Sequence, residues 1–395
     1  MNVRRIITFA FVLVAITAMA VGLSSCDSMQ TMIPDAETPP MEEMPPMAEG
    51  INIGVALAET GEFAEPYGIP MRRGLDLAKE EINMLGGPSI TFVSADPEST
   101  IEGAKAAIQQ LVDQEVPAII GIGISTHLEQ AFPIAQDAGV IAFSPISSGL
   151  DANGVGLSSL GDYIFRTGLT VGVLNSNGTM VTHAKLDYKK AALIYDAKDT
   201  YATSSNAAFE KTLTELGVDI LTVETFEKGD TDFSTQLTNI MGMEPDALFI
   251  SALSGEMTQI ITAAKSMGVS AQLIIPDLTV QEIQEVGDAA EGAITFSGWF
   301  GMAATPGNHT FVEKYKAKHG SEPGPWAAQA YATLHILADA ITKAQSTDAA
   351  AIREALAKTM DLPTILGNFS FDPNGEAVYD PIVFMVKNGE LQLFE

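Results

Sequence analysis

From Ile51 onward, short apolar runs alternate with amphipathic stretches, and the alternation runs twice along the chain. In the first series the spacing predicts strands over 51–57, 90–95, 118–121 and 140–143. Helices are predicted between them over 68–85, 100–115 and 126–138. A polar, glycine-rich loop over 144–162 and a strand at 163–166 close this series. The second series predicts a helix over 171–186 and strands over 191–195, 220–225, 247–251, 273–275 and 293–296. Helices over 201–216, 231–241 and 256–267 separate those strands. Gly86, Gly139, Gly217 and Gly268 stand where helices should stop. Short strands alternating with helices form parallel sheets covered by helices on both faces, so two series predict two sheets. The fold class expected is α/β. After helices over 326–344 and 348–360 the pattern turns to strands at 367–371, 382–386 and 391–394, with Asn388-Gly389 as a hairpin signal.

Length agrees with two cores. Residues 51–395 exceed what one ordinary domain packs. The first 50 residues read differently. Arg4 and Arg5 precede an apolar run over 6–23 that ends in Leu23-Ser24-Ser25-Cys26, and Cys26 is the one cysteine of the chain. A charged start, an apolar run and small residues before a cut describe a secretory signal peptide. A transmembrane anchor is the alternative, since the run is about long enough to span a bilayer. The Leu-small-small-Cys ending resembles the lipobox of bacterial lipoproteins. That resemblance implies cleavage before Cys26, acylation of its thiol and a membrane anchor in the periplasm or at the cell exterior. Residues 27–49 carry Pro34, Pro39, Pro40, Pro45 and Pro46 among acids, with no aromatic residue. Such a stretch cannot bury enough surface to offset its ordering entropy, so it is expected to act as an extended tether. The expected division is signal peptide 1–25 and tether 26–50.

The formal charge of −29 excludes nucleic acid as a partner, because phosphate binding needs a basic footprint. It also disfavours adhesion to anionic lipid, leaving acylation to anchor the chain. Enzyme motifs are missing from the sequence. There is no G-x-x-x-x-G-K-[ST] and no G-x-G-x-x-G. Gly123-Ile124-Ser125-Thr126-His127 lacks the closing glycine of a nucleophile elbow. The five histidines form no H-E-x-x-H. No enzyme activity, no cofactor and no metal are expected.

The informative segments follow strands, where open α/β sheets bind ligands. Ser125 and Thr126 open a helix, which makes either an anion site or a plain N-cap. Ser144-Pro145-Ile146-Ser147-Ser148 is a hydroxyl-rich turn with the same two readings. Asp277 follows the strand at 273–275 and could pair with an ammonium group or cap the helix from Thr279.

Taken in order, these pieces resemble the type I periplasmic binding proteins, in particular the leucine/isoleucine/valine-binding branch of ABC importers. The pieces are Thr60-Gly61 with Tyr67-Gly68, Gly121 with Ser125, Phe143-Ser144-Pro145, Phe165-Arg166-Thr167, Tyr195-Asp196 with Tyr201, Gly229-Asp230-Thr231-Asp232-Phe233, and Asp288-Ala289-Ala290-Glu291-Gly292. The resemblance covers residues 51–395. It implies two Rossmann-like lobes joined by a three-crossover hinge near Thr167, Ser297 and Leu366, with lobe 1 over 51–167 plus 298–366 and lobe 2 over 168–297 plus 367–395. It further implies a monomer that binds a small amino acid, branched-chain or related, between the lobes and delivers it to an ABC permease. Urea, a short amide, a small aromatic or carboxylic solute, or a sensory role are the alternatives. By the family pattern Ser125, with Thr126 beside it, takes the ligand carboxylate. Ser147 offers a carbonyl to the ammonium and Ser148 contacts both groups. Asp277 pairs with the ammonium, and Tyr67 and Tyr201 wall the pocket. Two departures change the pocket: Ala202 replaces a family glycine, and Leu253 stands near where leucine binders carry aromatic residues.

Overall fold

The structure is a computed structural model and describes residues 50–151 and 153–394. Cys26, the signal segment and nearly all of the tether lie outside the described residues.

The first alternation builds a five-stranded sheet. Its strands are β1 (Ile51–Ala56), β2 (Ile90–Ser94), β3 (Ala118–Gly121), β4 (Ile141–Ser144) and β5 (Ile164–Arg166), in the order β2-β1-β3-β4-β5. Every pairing is parallel. The connecting helices α1 (Ile69–Met84), α2 (Ile101–Asp113) and α3 (Ser125–Asp137) cover the sheet. All residues of β3 and β4 are buried, as expected of strands packed on both faces. A short π-helical turn, Ala64–Gly68, precedes α1.

The second alternation continues through α4 (Val171–Leu186), β6 (Lys190–Asp196), α5 (Thr200–Glu215), β7 (Asp219–Phe226), α6 (Ser234–Met243), β8 (Ala247–Ser251), α7 (Ser254–Met267), β9 (Gln272–Ile274), α8 (Val280–Val286) and β10 (Ile294–Ser297). Helices α9 (Asn308–His319), α10 (Pro325–Ala344) and α11 (Ala349–Leu356) follow, then β11 (Leu362–Thr364), β12 (Gly367–Phe371), β13 (Ala377–Val378), β14 (Ile382–Lys387) and β15 (Glu390–Leu393). The second sheet has the order β15-β14-β10-β9-β8-β6-β7. Its members β6 to β10 pair in parallel, and β14 and β15 add antiparallel at one edge. The Asn388-Gly389 turn joins that last hairpin, both residues adopting the positive φ that a two-residue turn demands. Strands β11, β12 and β13 form a small antiparallel sheet.

Helix α10 returns the chain to the first sheet by packing on α1. A Cβ at Gly74 would lie 2.1 Å from the Ala327 carbonyl oxygen, so only glycine lets the two helices approach this closely. The chain thus passes from the first sheet to the second after β5, and back after β10. The third passage comes later than Leu366. Phe371 of β12 packs on Phe143 and Phe165 of the first sheet, and Glu376 pairs with the buried Arg166. The chain joins the second sheet only at Ile382, because its aromatic and ionic anchors hold it to the first as far as Glu376.

Candidate functional site

The site lies where the carboxyl ends of both sheets face each other. β3 ends in Gly121, and Ile122 follows at φ 46°. Left-handed backbone at a β-branched residue is strained, and such strain gathers at functional sites. It is held by Ile122 N donating to the Ala56 carbonyl (2.8 Å) and by the Ser144 hydroxyl donating to the Ile122 carbonyl (2.8 Å). Helix α3 then starts at Ser125. Its N-cap residue, Ile124, supplies no side-chain cap, so the first N–H groups are free to serve an anion.

Ser125 is not a plain cap. Its hydroxyl lies 2.9 Å from the Ser147 hydroxyl and accepts the Gly149 N–H at 3.1 Å. A Cβ on Gly149 would come within 2.8 Å of Ser125 Cβ, so glycine is required for the loop after β4 to close on α3.

Asp277 also departs from the capping alternative. Thr279 caps α8, its hydroxyl accepting from Glu282 N, while the Glu282 carboxylate accepts from Thr279 N at 2.7 Å. Asp277 stands free of this box at φ 55°, its own N–H donating to the Phe296 carbonyl. Asp277 is half-buried and lines the space between the two sheets. Burial pushes the Asp277 pKa up to about 7. The Ser297 hydroxyl lies beside it, without completing a hydrogen bond, and offsets part of the rise; Glu282 adds to it.

The space is small, about 50 Å³, and suits a small solute rather than a peptide or nucleotide. Ser125, Ser148, Tyr67, Tyr201 and Asp277 all line it, so five of the expected residues converge. The remaining two do not reach it. Ser147 sits behind Ser125. Thr126 is drawn away to the second sheet's side: its hydroxyl donates to Asp199 (2.7 Å) and accepts from Thr200 N (2.8 Å). The Thr126 hydroxyl is thus engaged with the second half, and its backbone N–H stays at the start of α3. Residues that sequence reasoning missed are Glu282, Met257 and Trp326. Glu282 carried only the signature of a capping box, and Trp326 comes from α10, far along the chain.

Bonds between the two halves close the space. Ser254 N, at the start of α7, donates to Tyr67 Oη at 2.9 Å. Lys228, after β7, pairs with Glu62 and lies 4.5 Å from the Phe63 ring centre. His127 packs edge-on against the same ring. Burial, and then Lys228, push its pKa down to about 4, so it is a neutral wall residue.

The polarity of the space is one-sided. Asp277 and Glu282 line it, and burial raises both carboxyls. No lysine or arginine is among its lining residues. Opposite stands a helix start with the Ser125 hydroxyl. The Asp277 carboxyl, buried there without a cationic partner, suits a positively charged group from outside. Among the described residues no cluster of three metal-ligating side chains occurs, and no helix is long and apolar enough to cross a membrane.

A family profile for periplasmic binding proteins matches residues 50–390. A leucine-, isoleucine-, valine-, threonine- and alanine-binding protein of Pseudomonas aeruginosa is 27% identical over 339 residues, covering 83% of this chain and 87% of its own length. Among solved structures, a leucine-binding protein from Thermotoga maritima superposes with TM-score 0.81 at 28% identity, over 87% of this chain and 98% of that one. A branched-chain amino acid transporter substrate-binding protein from Streptococcus pneumoniae, in complex with isoleucine, gives 0.80 at 28% identity, with the same coverage. A solute-binding protein from R. palustris in complex with benzoate shares the fold, with TM-score 0.78 at 21% identity over 88% of this chain and 96% of that one.

Proposed function

The chain belongs to the type I periplasmic binding protein family, and from that premise we propose that it is the solute-binding protein of an ABC importer whose solute is a small α-amino acid, branched-chain or related. Members of this family bind solutes and are not enzymes. The observation that carries the reading is the one-sided polarity of the cavity. An α-amino acid presents a carboxylate to the free N–H groups of α3 and the Ser125 hydroxyl, and an ammonium to Asp277. Ser148 lies between these ends, and Tyr67 and Tyr201 wall the side chain. A benzoate-type solute would leave Asp277 without a counter-charge, which disfavours the aromatic-acid alternative.

The two halves, one built on 51–167 plus 298–376 and the other on 168–297 plus 382–395, close on the solute by hinge motion, as binding proteins of this architecture do. The bonds Tyr67–Ser254 and Thr126–Asp199 belong to the closed form. The carrier is a monomer held outside the cytoplasm by an acylated Cys26, with the proline-rich tether lifting it to a permease. Calorimetric titration with the twenty L-amino acids, urea and benzoate tests the assignment. Saturable binding of at least one amino acid, weakened about 10²–10⁴-fold by Asp277→Asn, is expected from the roughly 3–5 kcal/mol of a broken buried ion pair. Binding of benzoate or urea in place of every amino acid would overturn it.

A further inference from the structure

Two acids line the cavity, and a single α-ammonium accounts for one. Glu282 is 5% exposed and lies on the cavity wall. Both of its bonds from Thr279, at 2.7 and 2.8 Å, go to the same oxygen, Oε2. The capping box therefore uses Oε2, and the Ser254 hydroxyl, beside the carboxylate, offsets part of the rise that burial causes. The group sits at the end of the cavity formed by α7. Ser254 starts that helix beside it, Tyr67 Oη accepts the Ser254 N–H, and Leu253 and Met257 line the adjoining wall. This is the end where leucine binders are expected to enclose an apolar side chain in aromatic residues. Here Leu253 and Met257 stand beside the Tyr67 ring, on which Trp326 packs, and a carboxylate is set among them.

We propose that Glu282 is a specificity-determining residue and that the solute is an α-amino acid whose short side chain ends in a hydrogen-bond donor. Threonine and asparagine represent this class; valine and leucine, which have the same shapes without the donor, do not. The proposal rests on the amino-acid reading given above and adds the chemistry of the side chain to it. An aliphatic side chain in this space would further desolvate the Glu282 carboxylate and the Tyr67 hydroxyl without offering either a hydrogen bond. A side-chain hydroxyl or amide N–H restores one bond to a charged acceptor, the stronger kind. Burial raises the Glu282 pKa, and a donor on the solute compensates for that burial. Purely apolar pockets give the opposite ranking: they prefer the aliphatic member and reject its hydroxyl isostere by up to ~100-fold. The sign of the preference therefore separates the two kinds of pocket.

The test is calorimetric titration of the full mature chain with two isosteric pairs, L-threonine with L-valine and L-asparagine with L-leucine. The expected result is tighter binding of the donor-bearing member in each pair, by about tenfold or more. Glu282→Gln keeps an oxygen for Thr279 and removes the charge. It should shrink both ratios at least threefold while leaving the unliganded melting temperature within a few degrees. If that variant does not fold, Glu282→Asp withdraws the carboxylate by one methylene and should shrink the ratios likewise. Equal or tighter binding of valine and leucine by the wild type would overturn the proposal and leave the amino-acid reading intact. Donor preference that survives both substitutions would overturn the assignment to Glu282. Binding of none of the four, with benzoate or urea bound instead, would overturn both readings.

Discussion

The pH dependence of binding follows from Asp277. In the closed, unliganded cavity its pKa is pushed up to about 7, chiefly by burial. An ammonium group requires the ionised carboxylate, so the bound complex holds Asp277 well below that value. The closed, unliganded form therefore carries a proton at acidic pH that solute binding must expel. Affinity should fall about tenfold for each pH unit below ~7 and level off above it, because one unit is ~1.36 kcal/mol. Between pH 7 and pH 5 the loss is about 100-fold. Glu282, which also lines the cavity and is also raised by burial, acts in the same direction. Titration calorimetry in buffers of different ionisation heat reads this directly, as close to one proton released per solute at pH 5–6 and none at pH 8.5. Asp277→Asn should remove most of the slope along with most of the affinity. Affinity independent of pH between 5 and 8, with no proton released, would refute the pairing of Asp277 with an ammonium.

The same carboxyl should destabilise the empty protein. Its folded pKa lies above the unfolded one, so its contribution to unliganded stability is fully present below pH ~4 and is lost as pH rises to ~7. The full span is ~4 kcal/mol at most. Asp277→Asn should accordingly raise the unliganded unfolding free energy at pH 8 by about 1–3 kcal/mol, read by urea titration; a loss of stability would count against it. Glu376→Gln leaves the fully buried Arg166 guanidinium facing a neutral partner and should cost about 3–5 kcal/mol, read in the same way. An unchanged urea midpoint would show that this pair contributes nothing. Gly149→Ala drives a methyl into Ser125 and should weaken solute binding while the chain still folds; unaltered affinity would disconnect that loop from the site. Mass spectrometry of the mature protein should find Cys26 acylated at the N-terminus, and Cys26→Ala should leave precursor uncut or release soluble protein. An unmodified mature Cys26 would contradict the anchor.

The fold was legible because its signals are local. Helix α4 occupies the expected 171–186, with Thr170 capping its start. Helices α2 and α5 begin after Thr100 and Asp199, whose side chains accept N–H groups of the first turn. Apolar runs bounded by glycine or proline gave β3, β4 and β8 for the same reason. What the sequence hid depends on distance. The third passage was placed near Leu366 because nothing local shows that Phe371 and Glu376 are held by Phe143, Phe165 and Arg166. Thr126 and Ser125 are neighbours at a helix start, and only the fold turns one towards Asp199 and leaves the other in the cavity. Glu282 was invisible as a site residue because its three-residue spacing from Thr279 already had a structural explanation.

The central claim is that the cavity binds an α-amino acid through its ammonium on Asp277. The measurement that reaches it most directly is a calorimetric comparison of the tightest-binding L-amino acid with its own 2-hydroxy acid. The pair share a carboxylate and a side chain and differ only in the group that faces Asp277. The amino acid should bind at least ~100-fold tighter, the lower end of what an uncompensated buried partner costs. Equal binding of the hydroxy acid, or no binding by any amino acid, would contradict the account.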